Sequence, residues 1–230
     1  MIKESFLEMA ERHQAGDMLV QGEWKMSSVG CFNRDYGNDP HDFAALSKSS
    51  GYPEWKHRIQ ETVFERLTLD DAIKWHVQFA QKMETIKDFD VFYHSFMIGV
   101  LEVALPHDKY NVVQPVIDLH KNYENATSDD WEKARAAEET ARASAKVDWH
   151  WVKACKRRSA NAVHYAGLHA IESAAAASFA TFWADMVVDA VRAAVESWAA
   201  ARFGAGSAAA AWDDAWKKIE DAFLKANGGE

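Results

Sequence analysis

The chain has 230 residues, of which 48% are hydrophobic, and its formal net charge is -9. This length and apolar content are those of a globular protein with one large domain or two small ones. The acidic balance argues against direct nucleic-acid binding, because nucleic-acid-binding proteins carry a basic stripe. Only two cysteines, Cys31 and Cys155, and an N-terminus without a signal peptide's apolar core predict a cytoplasmic protein.

The N-terminal part is predicted to be one short helix followed by a long irregular loop. Residues 2–15 carry an amphipathic helical stripe that ends at Gly16. Glycines and serines interrupt any helical period over residues 16–39, which predicts a loop. This loop is too apolar to stay in solvent. We therefore expect it to pack on the helix predicted over 53–67, with Trp24 and Cys31 as its anchors.

Several short helices follow in the middle of the chain. Asp39 before a proline predicts the start of the first, and Thr68 with an acid three residues on predicts a capped start for a later one. The stretch 89–105 is slightly short for a bilayer and contains charged residues, so it is predicted to be a central buried helix and no membrane span. His76 and His94 lie on apolar helix faces, which is typical of hydrogen-bonded core histidines.

An alanine-rich run over 128–203 is predicted to be helical almost throughout, since it has no proline and a single glycine. As one rod it would exceed the width of a compact domain, so it must fold back on itself. The predicted fold is all-α: a multi-helix bundle with long alanine-rich antiparallel helices and the long loop. We divide it at residue 127 into an N-terminal helical region, 1–127, and an alanine-rich bundle, 128–230, expected to pack as one globular unit.

Two groups of residues offer chemistry. His57, Glu61 and Glu65 follow each other at helical spacing, but a helical wheel places them away from the apolar stripe, so they are predicted to face solvent. In the loop, Cys31 and His41 offer a thiol and an imidazole that a hydrolase could use. The spacing of the first group could present two carboxylates and an imidazole to a metal ion, but the outward orientation argues against such a site. No paired Cys-x-x-Cys and no cofactor motif is present, so neither a cofactor nor a metal ion is predicted.

Four motifs resemble a group of uncharacterised proteins encoded in phages and prophages. They are Gly-Asp-Met-Leu-Val-Gln-Gly-Glu-Trp at 16–24, Gly30-Cys31, Gly-Tyr-Pro-Glu-Trp at 51–55 and Glu-Thr-Val-Phe-Glu-Arg-Leu at 61–67. Many members have a second cysteine close after the Gly-Cys pair, where this chain has Asn33 and Arg34, so a shared cysteine-metal site is not expected. The resemblance implies an accessory protein of a mobile element in a bacterial host cell.

Three functions follow as hypotheses, and the sequence favours the one without enzymatic activity. In this first hypothesis the chain binds a host protein stoichiometrically and inhibits a host defence complex of the CRISPR type. Exposed aromatic residues are typical binding hot spots. The alternatives are a metal- or cysteine-dependent hydrolase with Cys31, His41 and Glu61 or Glu65, and a homo-oligomer that pairs through the stripe 179–198. The residues predicted to bind are Trp24, Cys31, Tyr36, Trp149 and Trp151.

Overall fold

The computed structural model describes residues 4–16, 18–155, 170–177, 184–202 and 208–229, apart from the side chains of 146–155, 184–187, 198–199, 201–202 and 208–209. The regular elements in these ranges are all helices, and no strand occurs among them. The predicted all-α class is therefore confirmed. Contacts divide the chain into a first unit, Met1–Phe89 with Gly228–Glu230, and a second unit, Asp90–Asn227. The composition-based boundary at residue 127 stays a prediction.

The described part of the first unit is built from five helices. In it α1 packs along α5, and α4 contacts α2, α3 and α5. Aromatic side chains fill the centre, where the rings of Phe6 and Phe32 stack with centroids 3.8 Å apart. The helices are α1 (Phe6–Ala15), α2 (Ser28–Asp35), α3 (Phe43–Ser50), α4 (Glu54–Phe64) and α5 (Leu69–Thr85).

Helix α2 lies inside the segment predicted to be an irregular loop, so that detail of the prediction is not confirmed. Ser27 caps the helix by accepting a hydrogen bond from the Gly30 amide at 3.1 Å. A Cβ on Gly30 would lie only 1.8 Å from the carbonyl oxygen of Trp24, so glycine is required by the close contact between the helix and the turn that precedes it. The serine and glycine that suggested a loop are in fact a helix cap and a contact point.

Capping side chains fix the starts of the other helices. Ser5 and Glu8 form a reciprocal capping box at α1, and Thr68 accepts from the Asp71 amide at the start of α5, as its sequence predicted. Helix α3 begins later than predicted, because its cap is Asp42 and the side chain of Asp39 bonds to a turn that precedes it.

The second unit is organised around α6 (Phe89–Ala104). Phe92 and Phe96 are fully buried, and both rings meet Phe223 edge-on with centroids 5.0 and 5.4 Å away. Gly99 allows Ala222 to approach, since an added Cβ would lie 2.8 Å from it. The remaining described elements are a 3₁₀ turn (Leu105–His107), α7 (Val113–Lys121), α8 (Ser128–Cys155), helical residues 170–177, α9 (Ala184–Arg202) and α10 (Ala208–Lys225).

Within the described residues, one window, Phe89–His107, is long and apolar enough to cross a membrane, and half of it is buried inside the protein. This burial is what the predicted central helix requires. His94 is nearly buried and its Nδ1 lies 2.8 Å from Nδ1 of His120, which confirms a hydrogen-bonded core histidine.

The stripe 179–198 is internal wherever its side chains are described. Val191, Ala194 and Val195 have no exposed surface within the single chain. This part of the stripe is therefore not available for a symmetric interface. The antiparallel arrangement of the long helices stays a prediction.

Candidate functional site

The most exposed large apolar side chain among the described residues is Trp24, with 54% of its surface in solvent. Its ring lies against the exposed imidazole of His41, with centroids 3.6 Å apart and the planes inclined by 49°. We call these two rings the Trp24–His41 platform. Val20, in the same turn, is 40% exposed. The expectation that Trp24 anchors the segment by being buried is therefore wrong.

The turn that carries Trp24 is fixed by hydrogen bonds to residues at the end of α4 and by one hydrogen bond within the turn. Glu65, the residue that follows α4, accepts a hydrogen bond from the Gly22 backbone amide at 2.8 Å. The side-chain amide of Gln21 donates to the backbone carbonyls of Phe64 and Leu67. Within the turn, the Val20 amide donates to Met26 at 2.8 Å. Gly22 adopts a φ of 74°, which glycine reaches without strain.

The backbone of Trp24 also rests on the start of α2. Its carbonyl faces Gly30 at the contact described above, and it accepts a hydrogen bond from the Ser27 hydroxyl at 3.2 Å. The amide of Val29 donates to the buried carboxyl of Glu61 at 2.9 Å, which ties the start of α2 to α4. The tryptophan is therefore exposed on a backbone that α2 and α4 hold in place.

The His41 side of the platform is held by Asn33, a fully buried residue of α2. The Asn33 amide donates to the carbonyls of Pro40 and Asp42 at 3.1 and 3.3 Å. Asp39 accepts from the His41 amide at 3.0 Å. Helix α2 thus supports the backbone beneath both rings of the platform.

The structure distributes the other predicted site residues between the surface and the interior. Tyr36 is half-buried at the end of α2. Cys31 is fully buried, and burial raises the pKa of its thiol to about 11, which disfavours the nucleophilic thiolate. Trp149 and Trp151 lie in α8, but their side chains fall outside the described residues.

The cysteine and histidine considered for a hydrolase are not hydrogen-bonded to each other, because the Cys31 thiol donates to the Met18 carbonyl at 3.6 Å and the His41 ring lies against Trp24. Glu65 is the acceptor for Gly22. Cys31 of α2 and Glu61 of α4 are both buried. Within the described residues no group of three or more potential ligands is arranged to hold a metal ion.

The prediction that His57 and Glu61 face solvent is wrong. His57 has no exposed surface and Glu61 only 6%. A lone helix with one covered face would leave both side chains in solvent, but α4 is covered on this second face as well. The start of α2 lies on Glu61, and Phe6 of α1 and Ser50 of α3 lie against His57.

Burial gives Glu61 an unusual acidity. Desolvation raises the pKa of its carboxyl to about 7, although the Ser27 side chain and the Val29 amide oppose part of this rise. The carboxyl that holds the start of α2 is therefore close to half-protonated at neutral pH.

A chain of hydrogen-bonded polar side chains runs through the interior of the first unit and joins all five helices. We call it the polar chain. Each of its links is between 2.7 and 3.1 Å long. Its members, in order, are Ser50, His57, Gln60, Ser28, His76, His13 and Asp35.

The hydrogens in the polar chain can be placed from its end. The Asp35 carboxylate only accepts, so His13 must carry its proton on Nε2 and accept at Nδ1. His76 then donates from Nε2 to His13 and accepts at Nδ1 from the Ser28 hydroxyl. Ser28 in turn accepts from the Gln60 amide.

The same direction continues to the other end. The Gln60 carbonyl oxygen accepts from Nδ1 of His57, which leaves Nε2 of His57 to accept from the Ser50 hydroxyl. Every donor therefore points towards Asp35, with all three imidazoles neutral. Burial agrees with this assignment, because it lowers the pKa of His13, lowers that of His57 to about 4 and lowers that of His76 well below 6.5.

The polar chain contains a serine, two histidines and a carboxylate in that order, one histidine more than the triad that hydrolases use, and its serine is not placed to attack a substrate. Ser28 has no exposed surface, and its hydroxyl oxygen already accepts from Gln60 at 2.7 Å. The Phe32 ring stacks on the His76 ring with centroids 4.9 Å apart. The arrangement satisfies buried polar groups and links helices.

No protein-family model matches the chain, and no similar curated protein or solved structure is found. The resemblance to phage-encoded proteins thus stays a prediction.

Proposed function

We propose that the protein acts by binding another protein stoichiometrically, with the Trp24–His41 platform as the centre of its binding surface. The observation that carries the proposal is that Trp24 is 54% exposed on a backbone fixed by α2 and α4. Tryptophan is enriched among the residues that contribute most to protein interfaces.

The fixed backbone matters because binding is weakened by the entropy lost when flexible groups become ordered. Here Gly22, Ser27 and Gly30 hold the turn before any partner arrives. The indole can then bury its remaining surface in a partner's pocket at a small entropic cost. This fixed backbone would bring no advantage if the exposed Trp24 had no binding partner.

The partner we propose is a host-cell protein, including a component of a defence complex of the CRISPR type. The residues that resemble phage-encoded proteins motivate this choice, since accessory proteins of mobile elements often act by binding and blocking a host component. The buried Cys31 gives the hydrolase alternative no support, and the covered residues of α9 give none to a homo-oligomer.

The test compares matched variants as baits in a host-cell lysate. Wild type, Trp24→Ala and Leu69→Ala are immobilised, and bound proteins are quantified by mass spectrometry. Leu69 is the matched control because it is also a large exposed apolar residue, at 50%. We expect one partner at near-equal molar amount on wild type and Leu69→Ala, and at least tenfold less on folded Trp24→Ala. Equal capture by Trp24→Ala, or no stoichiometric partner for wild type, contradicts the proposal.

A further inference from the structure

We propose that the pair His13 and His76 is an acid-operated release for α1, in which the native packing accepts one excess proton and a second proton separates α1 from α5. The pair joins these helices directly, since Nδ1 of His13 lies 3.1 Å from Nε2 of His76 in the interior. This regulatory property goes beyond the proposed binding function and does not depend on it.

The first proton fits because the polar chain can change tautomer. A charged His13 donates from Nε2 to Asp35 and from Nδ1 to His76. His76 then accepts at Nε2 and carries its own proton on Nδ1, from which it donates to Ser28. The Ser28 oxygen has two lone pairs, so it accepts this bond beside the one from Gln60 while its hydrogen turns away. The new charge lies 2.7 Å from the Asp35 carboxylate.

The second proton does not fit. With both imidazoles charged, an N–H of His76 would point at an N–H of His13 across 3.1 Å. Two donors and two like charges would then face each other in a buried site, where their repulsion is poorly screened. Since each histidine is held by a different helix, the way to relieve this repulsion is to move α1 away from α5.

The charged groups around the pair do not offset the second charge. Asp35, at the end of α2, already accepts from Arg12 of α1 at 2.7 Å as well as from His13. Glu4, the other carboxylate that interacts with His13, accepts from Arg12 at 2.9 and 3.0 Å. Arg34 of α2 adds a further positive charge near His13. On α4, the Glu61 carboxyl accepts from Val29. Lys56, which lies near His57, can add only positive charge to this region. His76 itself meets Ser28, the Phe32 ring and His13.

The depressed acidity of both histidines agrees with this geometry. Desolvation is the main cause that lowers the pKa of His13 and of His76, and the charge of His13 lowers the pKa of His76 further. A group whose native pKa lies below its unfolded value of 6.5 binds fewer protons in the native state. Opening of α1 is therefore favoured as the pH falls below 6.5.

The experiment measures amide hydrogen exchange of the full chain by mass spectrometry between pH 7.5 and 4, corrected for intrinsic exchange rates. Peptides covering α1 report its opening constant. We expect the rise of this constant to approach a hundredfold per pH unit as the pH falls below 6.5 and both histidines of the opened form become protonated, because opening then takes up two protons. Once the native pair holds one proton, the rise should become about tenfold per pH unit. A rise of tenfold or less throughout overturns the proposal.

Three variants sharpen the test. His76→Gln leaves one ionisable group in the pair and should reduce the initial rise to about tenfold per pH unit. Asp35→Asn removes the carboxylate that pairs with the first proton, so the hundredfold dependence should extend to lower pH; this variant also serves if His76→Gln does not fold. His120→Gln is the control, because His120 belongs to the other buried histidine pair, in the second unit. Unchanged pH dependence of α1 in both His76→Gln and Asp35→Asn refutes the release.

Discussion

Replacing the buried carboxyl of Glu61 by an amide should change how stability depends on pH. In the native state burial raises the pKa of Glu61 from 4.5 to about 7. Above pH 7 the ionised carboxyl therefore costs the folded state about 3 kcal/mol relative to the unfolded chain. Below pH 4.5 the group is protonated in both states and this cost disappears. The contribution of Glu61 thus makes the folded state more stable at low pH, and this advantage is lost as the pH rises.

The variant Glu61→Gln cannot ionise, so the free energy of unfolding of the variant minus that of wild type should rise with pH. Between pH 5.5 and 8 we expect a rise of about 2 kcal/mol, since the remainder of the effect falls below pH 5.5. The amide retains an acceptor for Val29, and any constant penalty for its extra hydrogens cancels in the comparison between the two pH values.

Urea denaturation followed by circular dichroism gives the two free energies at each pH. Histidine ionisation is common to wild type and variant and does not enter the difference. If the difference stays constant between pH 5.5 and 8, Glu61 ionises as it does in the unfolded chain. Such a result would show that α2 does not desolvate this carboxyl.

Three further predictions concern α2 and its surroundings. Gly30→Ala should lower stability by about 3 kcal/mol or prevent folding, because the new Cβ meets the Trp24 backbone at 1.8 Å; thermal unfolding measures this loss. Cys31 in a Cys155→Ser background should react with a thiol reagent at pH 8 only after denaturant is added, since its thiol is buried. Trp24→Ala should lower stability by less than the roughly 3 to 5 kcal/mol typical of a buried tryptophan, and a larger loss in thermal unfolding would contradict the exposed ring.

Local signals in the sequence were sufficient for much of the helical framework. The cap at Thr68 and the apolar stretch around α6 were both recognisable, because they depend on neighbouring residues and on helical periodicity. His76 and His94 were correctly placed as core histidines, since each interrupts an apolar stripe. These inferences needed no knowledge of which helices touch.

What the sequence could not supply were the side-chain contacts between elements. The apolar content of residues 16–39 predicted that this segment packs on the helix over 53–67, and α2 does contact α4. No spacing along the sequence reveals, however, that Ser28 and Gln60 meet there as links of the polar chain. His13 was visible as a polar residue on the apolar stripe of α1, which is the signal that a partner had to exist. Trp24 was misjudged because tryptophan is usually packed, and its exposure follows from a turn whose supports come from α4.

Because Gly30 lies in close contact with the Trp24 carbonyl, the start of α2 and the platform must move together. Ser28 lies in that same first turn, so the polar chain and the platform share a support. Thermodynamic reciprocity then links two equilibria. Any partner that requires α2 in its native position must bind less tightly when protons disrupt the polar chain. By the same factor, that bound partner must make the histidines harder to protonate.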